Sequence, residues 1–166
     1  MKTLLALALS LSFVVSASAA HRQASYEDLV RWAGCEARLV TSDQHEVVES
    51  YYSPLEHALY VGTKQLPGLR PEMAEMVLFH EIGHCLQAQA GLGDLPTLVL
   101  ELDADRQAAD LACGLGRDGR QLLHDLFVWA LKTYDYDGDP SHGTLVQRIS
   151  QGENASLCRA LESPTA

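Results

Sequence analysis

The chain has 166 residues, 12 of them Lys or Arg against 22 Asp or Glu, giving a net charge of −10 with neutral histidines. That length suits one domain, and a chain 47% hydrophobic and 20% charged has ordinary globular composition, which excludes wholesale disorder and a coiled coil. The negative balance argues against a nucleic-acid partner, whose phosphates need a basic face, and against adhesion to anionic membranes.

Lys2 gives a positive start, Leu4 to Val15 is an apolar run, and Ala17-Ser18-Ala19 supplies the small residues that signal peptidase accepts. The run is too short for a membrane span, which needs roughly 20 apolar residues. Residues 1–20 are therefore predicted to be a signal peptide, cut after Ala19 or Ala20. Residues 21–166 then form a single compact domain with no integral membrane segment, exported to the periplasm or secreted. Losing residues 1–20 removes one Lys and no acid, so the remainder carries −11. It keeps Cys35, Cys85, Cys113 and Cys158. In an oxidising compartment an even count predicts two disulfides, with all three pairings open.

In chain order, Ser25 and Asp28 read as a capping box for a short helix to about Cys35. Glu46 to Ser53 and Ala58 to Val61 read as two strands of a small hairpin or sheet, followed by a loop from Gly62 to Gly68. Pro71 sits where a helix favours it, and that helix should run to Gly91 as its C-terminal stop. A turn over Gly93 to Pro96 leads into a second long helix, Thr97 to about Leu115. Leu122 to Leu131 make a third apolar helix. A polar stretch from Asp135 to Gly143 precedes short helices near residues 144–150 and 154–161, with Asn154 read as an N-cap. The fold class is α+β, mostly helical.

The chemistry is carried by His80-Glu81-Ile82-Gly83-His84, an H-E-x-x-H run in the middle of the best-defined helix. Residues four apart share a helical face, so both imidazoles can reach one ion, and Glu81 stands beside them. In this composition the run arises by chance roughly 0.02 times per chain. Zinc lowers the pKa of a water it holds to about 7, and an adjacent carboxylate can take that proton during attack on a peptide carbonyl. A catalytic zinc needs a third protein ligand. The H-x-x-G-x-x-H continuation is absent, since Gln87 and Ala90 occupy those places. Glu101 and Asp105, four apart on the next helix, can supply a ligand and a hydrogen-bond acceptor for one ligand His. Asp103 falls on the opposite side and reads as surface.

These residues resemble the HtpX and CAAX-prenyl endoprotease group of gluzincin metallopeptidases, and in setting its soluble periplasmic BepA- and LoiP-like members. Three segments match in order: Leu59 to Thr63 with Met73 to His84, then Glu101 to Arg106, then Ser141 to Ile149. The resemblance implies a zincin-like domain with a small sheet or hairpin before the H-E-x-x-H helix. It implies one Zn2+ held by His80, His84 and Glu101, and Glu81 as general base. Asp105 stands behind the ligands, His142 helps with the oxyanion, and Arg148 braces the site. It also makes the strand at Leu59 to Gly62 the edge to which an extended substrate adds. Gly143 replaces the family's Pro, and only sixteen residues separate His84 from Glu101, so the cleft is expected to be shallow or completed by an oligomer or partner protein.

The expected function is an exported zinc-dependent endopeptidase acting on protein or peptide substrates. The alternative is a non-catalytic zinc-containing envelope protein, chaperone-like, that holds clients on the same scaffold. Asp135, Asp137 and Asp139 alternate as in a calcium loop, but Pro140 and Val146 stand where an EF-hand needs Gly and Glu. Trp32, Trp129, Tyr51 and Tyr52 read as core residues.

Overall fold

The computed structural model describes residues 25–162, so the leader expected over residues 1–20 lies outside the described residues. The chain runs α1 (Tyr26–Ala33), β1 (Arg38–Glu46), a 3-10 turn (Val47–Glu49), β2 (Tyr51–Ser53), β3 (Ala58–Lys64), α2 (Pro71–Gln89), α3 (Thr97–Gly114) and α4 (Gly119–Tyr134). A two-residue ladder, β4 (Gly138–Asp139) with β5 (Gly143–Thr144), then leads to α5 (Leu145–Asn154) and α6 (Ser156–Glu162). The class is α+β with a small sheet. No helix among the described residues is long and apolar enough to cross a membrane.

Local chemistry sets the helix ends. The Ser25 hydroxyl accepts from the Asp28 amide at the start of α1. Pro71 opens α2, where its missing N–H costs nothing. Helix α2 closes with Gly91 at φ 73°, the Leu92 amide reaching back to Gln87 and the Gly91 amide to Ala88. Thr144 and Gln147 form a reciprocal capping box on α5. Asn154 is the last residue of α5 rather than the cap of α6, because α5 runs past the Ser150 at which the sequence reading ends it.

The sheet departs from the expected hairpin. Residues 38–46 form a strand, and the stretch predicted as one strand over residues 46–53 divides into the 3-10 turn and the three-residue β2. Strand order is β1-β3-β2, with β1 parallel and β2 antiparallel to β3. Strand β3 is therefore central, not the free edge that the family resemblance implies. It extends to Lys64, three residues into the expected loop. A Cβ at Gly62 would lie 2.0 Å from the Glu46 carbonyl oxygen, so only glycine lets the end of β1 close on β3 there.

Helix α2 lies at the centre. Met73, Met76, Leu78, Phe79, Ile82 and Cys85 are all buried on it, so it shows an apolar surface in several directions rather than one stripe. Sheet, α3 and α4 pack around it. Ala104, Ala108, Ala109 and Ala112 are fully buried on α3, and such small side chains let that helix approach closely. Trp32 and Tyr51 are about half exposed rather than core, whereas Tyr52 and Trp129 pack against the core.

Two disulfides close the frame, Cys35–Cys85 and Cys113–Cys158. The first ties the end of α1 to the residue immediately after His84. Gln89 reinforces it, donating to the Gly34 carbonyl and accepting from the Glu36 amide. Digestion without reductant is expected to yield these two linked peptide pairs and no other pairing. Replacing Cys113 and Cys158 with Ser reopens a 45-residue separation. By chain entropy this is expected to cost about 4 kcal/mol in urea unfolding.

Candidate metal centre

Helices α2 and α3 cross where Gly83 meets Ala104. A Cβ on Gly83 would stand 3.0 Å from the Ala104 Cα, so glycine at this place in the H-E-x-x-H run sets how near the two helices come. That approach brings Glu101 of α3 up to the two histidines of α2. One ligand atom from each of His80, His84 and Glu101 lies within 4.8 Å of the others, a group that could hold a metal ion. The His80 and His84 Nε2 atoms are 3.1 Å apart, and each is 3.3 Å from a different oxygen of Glu101. All three side chains are largely buried.

The far side of each imidazole is engaged. His80 Nδ1 lies 2.9 Å from Asp105 Oδ1. His84 Nδ1 lies 3.0 Å from Gln87 Oε1. The Gln87 amide nitrogen donates to the Leu100 carbonyl and to Asp103, which leaves its oxygen to accept from His84. Both histidines are thus held with Nδ1–H as donor and the Nε2 lone pair free for a ligand. Two such lone pairs and a carboxylate crowded together are an arrangement that a cation resolves.

Burial pulls the His80 pKa down, but its hydrogen bonds to Asp105 and Glu101 and their charges outweigh it, and the value is pushed up to about 10. Burial likewise raises Glu101, but hydrogen bonds to His80 and His84 carry it well below the ordinary carboxylate range.

Asp105 is 1% exposed and shared. Arg148 of α5 grips it with both arms, Nε at 2.7 Å and an outer nitrogen at 2.9 Å, while its guanidinium sits 4.5 Å above the Phe127 ring. Arg148 is buried, not a surface helix residue, and lies 3.8 Å from Glu101. Burial raises the Asp105 pKa, but His80 and Arg148 together hold it below its usual value.

Glu81 is buried beside the ligands, and its Oε2 accepts from the Tyr52 amide of β2 at 3.0 Å. Burial pushes its pKa up, opposed by the histidines and by that amide. The strand bordering the site is thus β2, itself a sheet edge. His142 lines the same cleft, its Nδ1 2.7 Å from Asp139 Oδ2, with its side chain 44% exposed. Asp139 also binds the Ser141 and His142 amides, so the acidic turn is occupied by its own chain.

Sequence reading missed two participants. Gln87, 2% exposed, orients His84, and Asp103 holds Gln87 in place rather than facing solvent freely. Gln87 lies three residues after His84 on the same helical face, which is the signal that points to it. The cleft holds about 950 Å³, and β2, α2, α3, α4 and the segment carrying Asp139, His142 and Arg148 all line it.

Asp105→Asn keeps the shape but removes the charge facing His80. It is expected to weaken zinc or cobalt binding by about 10–100-fold, measured by chelator competition, and to cost about 3–5 kcal/mol in urea unfolding because Arg148 loses its buried counter-charge. Gly83→Ala is expected to cost about 1–3 kcal/mol in urea unfolding and to weaken metal binding, because α3 must move away from α2.

Comparison of the chain with protein-family models, with curated proteins and with solved structures returns no match.

Proposed function

We propose that the protein is an exported zinc metalloendopeptidase of gluzincin type, related in design to the HtpX and CAAX-prenyl endoprotease group. The observation that carries this reading is the convergence of His80, His84 and Glu101 with Glu81 buried beside them in a cleft. Two imidazole nitrogens and one carboxylate are a zinc donor set that leaves a position open for catalysis. The same donors suit ferrous iron. Zinc is favoured by the adjacent carboxylate base and by the disulfide-forming compartment, which suits a redox-inert ion.

When bound, zinc supplies an acidified water and polarises a carbonyl. The chain's own residues do the rest. Glu81 takes the proton from the attacking water and passes it to the departing amine nitrogen. The Tyr52 amide donates to Glu81 Oε2 and so fixes the carboxylate that carries this proton. Asp105 and Gln87 fix the two ring orientations. His142 lines the cleft braced by Asp139, and in this reading its ring donates an N–H to the developing oxyanion.

The non-catalytic alternative has less support. A buried Glu81 whose hydrogen-bond partner is one backbone amide is costly to maintain, and a scaffold that only holds clients gains nothing from it. Glu81→Gln is expected to retain one zinc per chain and to lose about 10²–10⁴-fold in cleavage of an unfolded protein such as casein. Undiminished cleavage by that variant contradicts the mechanism.

A further inference from the structure

The direction of the main chain along β2 decides what that rim of the cleft can offer. The Arg38 amide donates to the His57 carbonyl, so alternate residues from His57 onward turn to β1, and Ala58, Tyr60 and Gly62 turn to β2. The Gly62 amide accordingly meets the Ser50 Oγ. In the antiparallel pairing Tyr51 therefore bonds with Tyr60 and Ser53 with Ala58. Tyr52, opposite Leu59, turns both its amide and its carbonyl away from β3. That is the side on which its amide reaches Glu81.

A peptide added to β2 as a further strand needs N–H donors on this side at alternate residues, Ser50, Tyr52 and Pro54, all of which line the cleft. None of the three is left. The Ser50 amide donates to the Val47 carbonyl at 3.3 Å, the Tyr52 amide donates to Glu81 at 3.0 Å, and Pro54 has no N–H. A substrate carbonyl brought against this rim gives up its water and gains no donor there. The rim can only accept, and on the residue that holds Glu81 the acceptor is the Tyr52 carbonyl.

We infer that a peptide substrate is held at β2 by giving one backbone N–H to the Tyr52 carbonyl, in place of the strand addition that the family resemblance implies. At that one position the substrate residue needs its N–H, so proline is refused there. Proline and N-alkylated residues are accepted two residues to either side. This rests on the metallopeptidase reading and adds to it how the substrate's main chain is recognised.

The test uses the zinc-loaded, disulfide-intact protein and a capped tetrapeptide hydroxamate. Each backbone amide of the compound is replaced in turn by an ester, which removes the N–H without adding bulk. Binding is measured by calorimetry. One ester is expected to weaken binding about tenfold or more, and the esters two residues away by less than about threefold. Labelling tyrosine with carbon-13 at the carbonyl and serine with nitrogen-15 isolates the Tyr52–Ser53 bond in the NMR spectrum, since Ser follows no other Tyr in the chain. The Tyr52 carbonyl resonance is expected to move downfield with the parent compound and to stay near its unliganded position with the sensitive ester. Sensitivity at two or more alternate positions shows strand addition and overturns the inference. So does an unmoved Tyr52 carbonyl, or the absence of any sensitive position. One sensitive ester and a shifted Tyr52 carbonyl with no cleavage of any peptide support the inference and overturn the peptidase reading instead. Failure of every hydroxamate to bind overturns both.

Discussion

Asp105, buried on α3, joins three helices through one carboxylate: His80 of α2 on one side and Arg148 of α5, by two hydrogen bonds, on the other. Burying an acid and a guanidinium is expensive, and each is tolerable only because the other is there. The pair therefore acts as a joint that assembles only when all three helices are in register. It also sets the chemistry at His80, whose ring must present Nε2 to the cleft because Nδ1 is taken. Asp105 ionises more readily in the folded chain than in an unfolded one. Its contribution is intact above the ordinary carboxylate range and is lost in acid as the pH falls through its lowered folded value.

Around that joint the frame leaves little freedom. Gly83 against Ala104 fixes the spacing between the helices that carry the ligands. Cys85, next to His84, is bonded to Cys35 at the end of α1, and Cys113 on α3 is bonded to Cys158 on α6. Both ligand helices are thus pinned by a covalent link as well as by packing. Such rigidity holds His80, His84 and Glu101 in one mutual geometry. The same frame leaves an apolar wall on α4 facing the cleft.

The local parts of this design were legible in the sequence. The ends of α2 and α3 follow from Pro71, Gly91 and Pro96, the apolar spacing marks α4 though not its ends at Gly119 and Tyr134, and the His80–His84 pairing is a property of a single helix turn. Glu101 and Asp105 could be read because their four-residue spacing is equally local, and Arg148 only through the resemblance. What escaped reading depends on distant partners. Strand β1 is polar along most of its length, with exposed positions interrupting any alternation, so its identity comes from pairing with β3. Without β1, β3 looks like an edge, and with it the edge beside the site becomes β2. Gln87 and Asp103 escaped for the same reason, since their roles exist only where α2 and α3 meet. Disulfide pairing cannot be read from spacing at all.

The central claim is that two imidazoles and one carboxylate hold a single zinc ion with a position left open. X-ray absorption at the zinc edge of the purified protein tests it most directly. The account predicts one zinc per chain with two histidine nitrogens and light oxygen donors at about 2.0–2.2 Å, four- or five-coordinate and free of sulfur. A spectrum with sulfur donors, with six oxygens and no histidine, or from a protein that takes up iron and not zinc would contradict it.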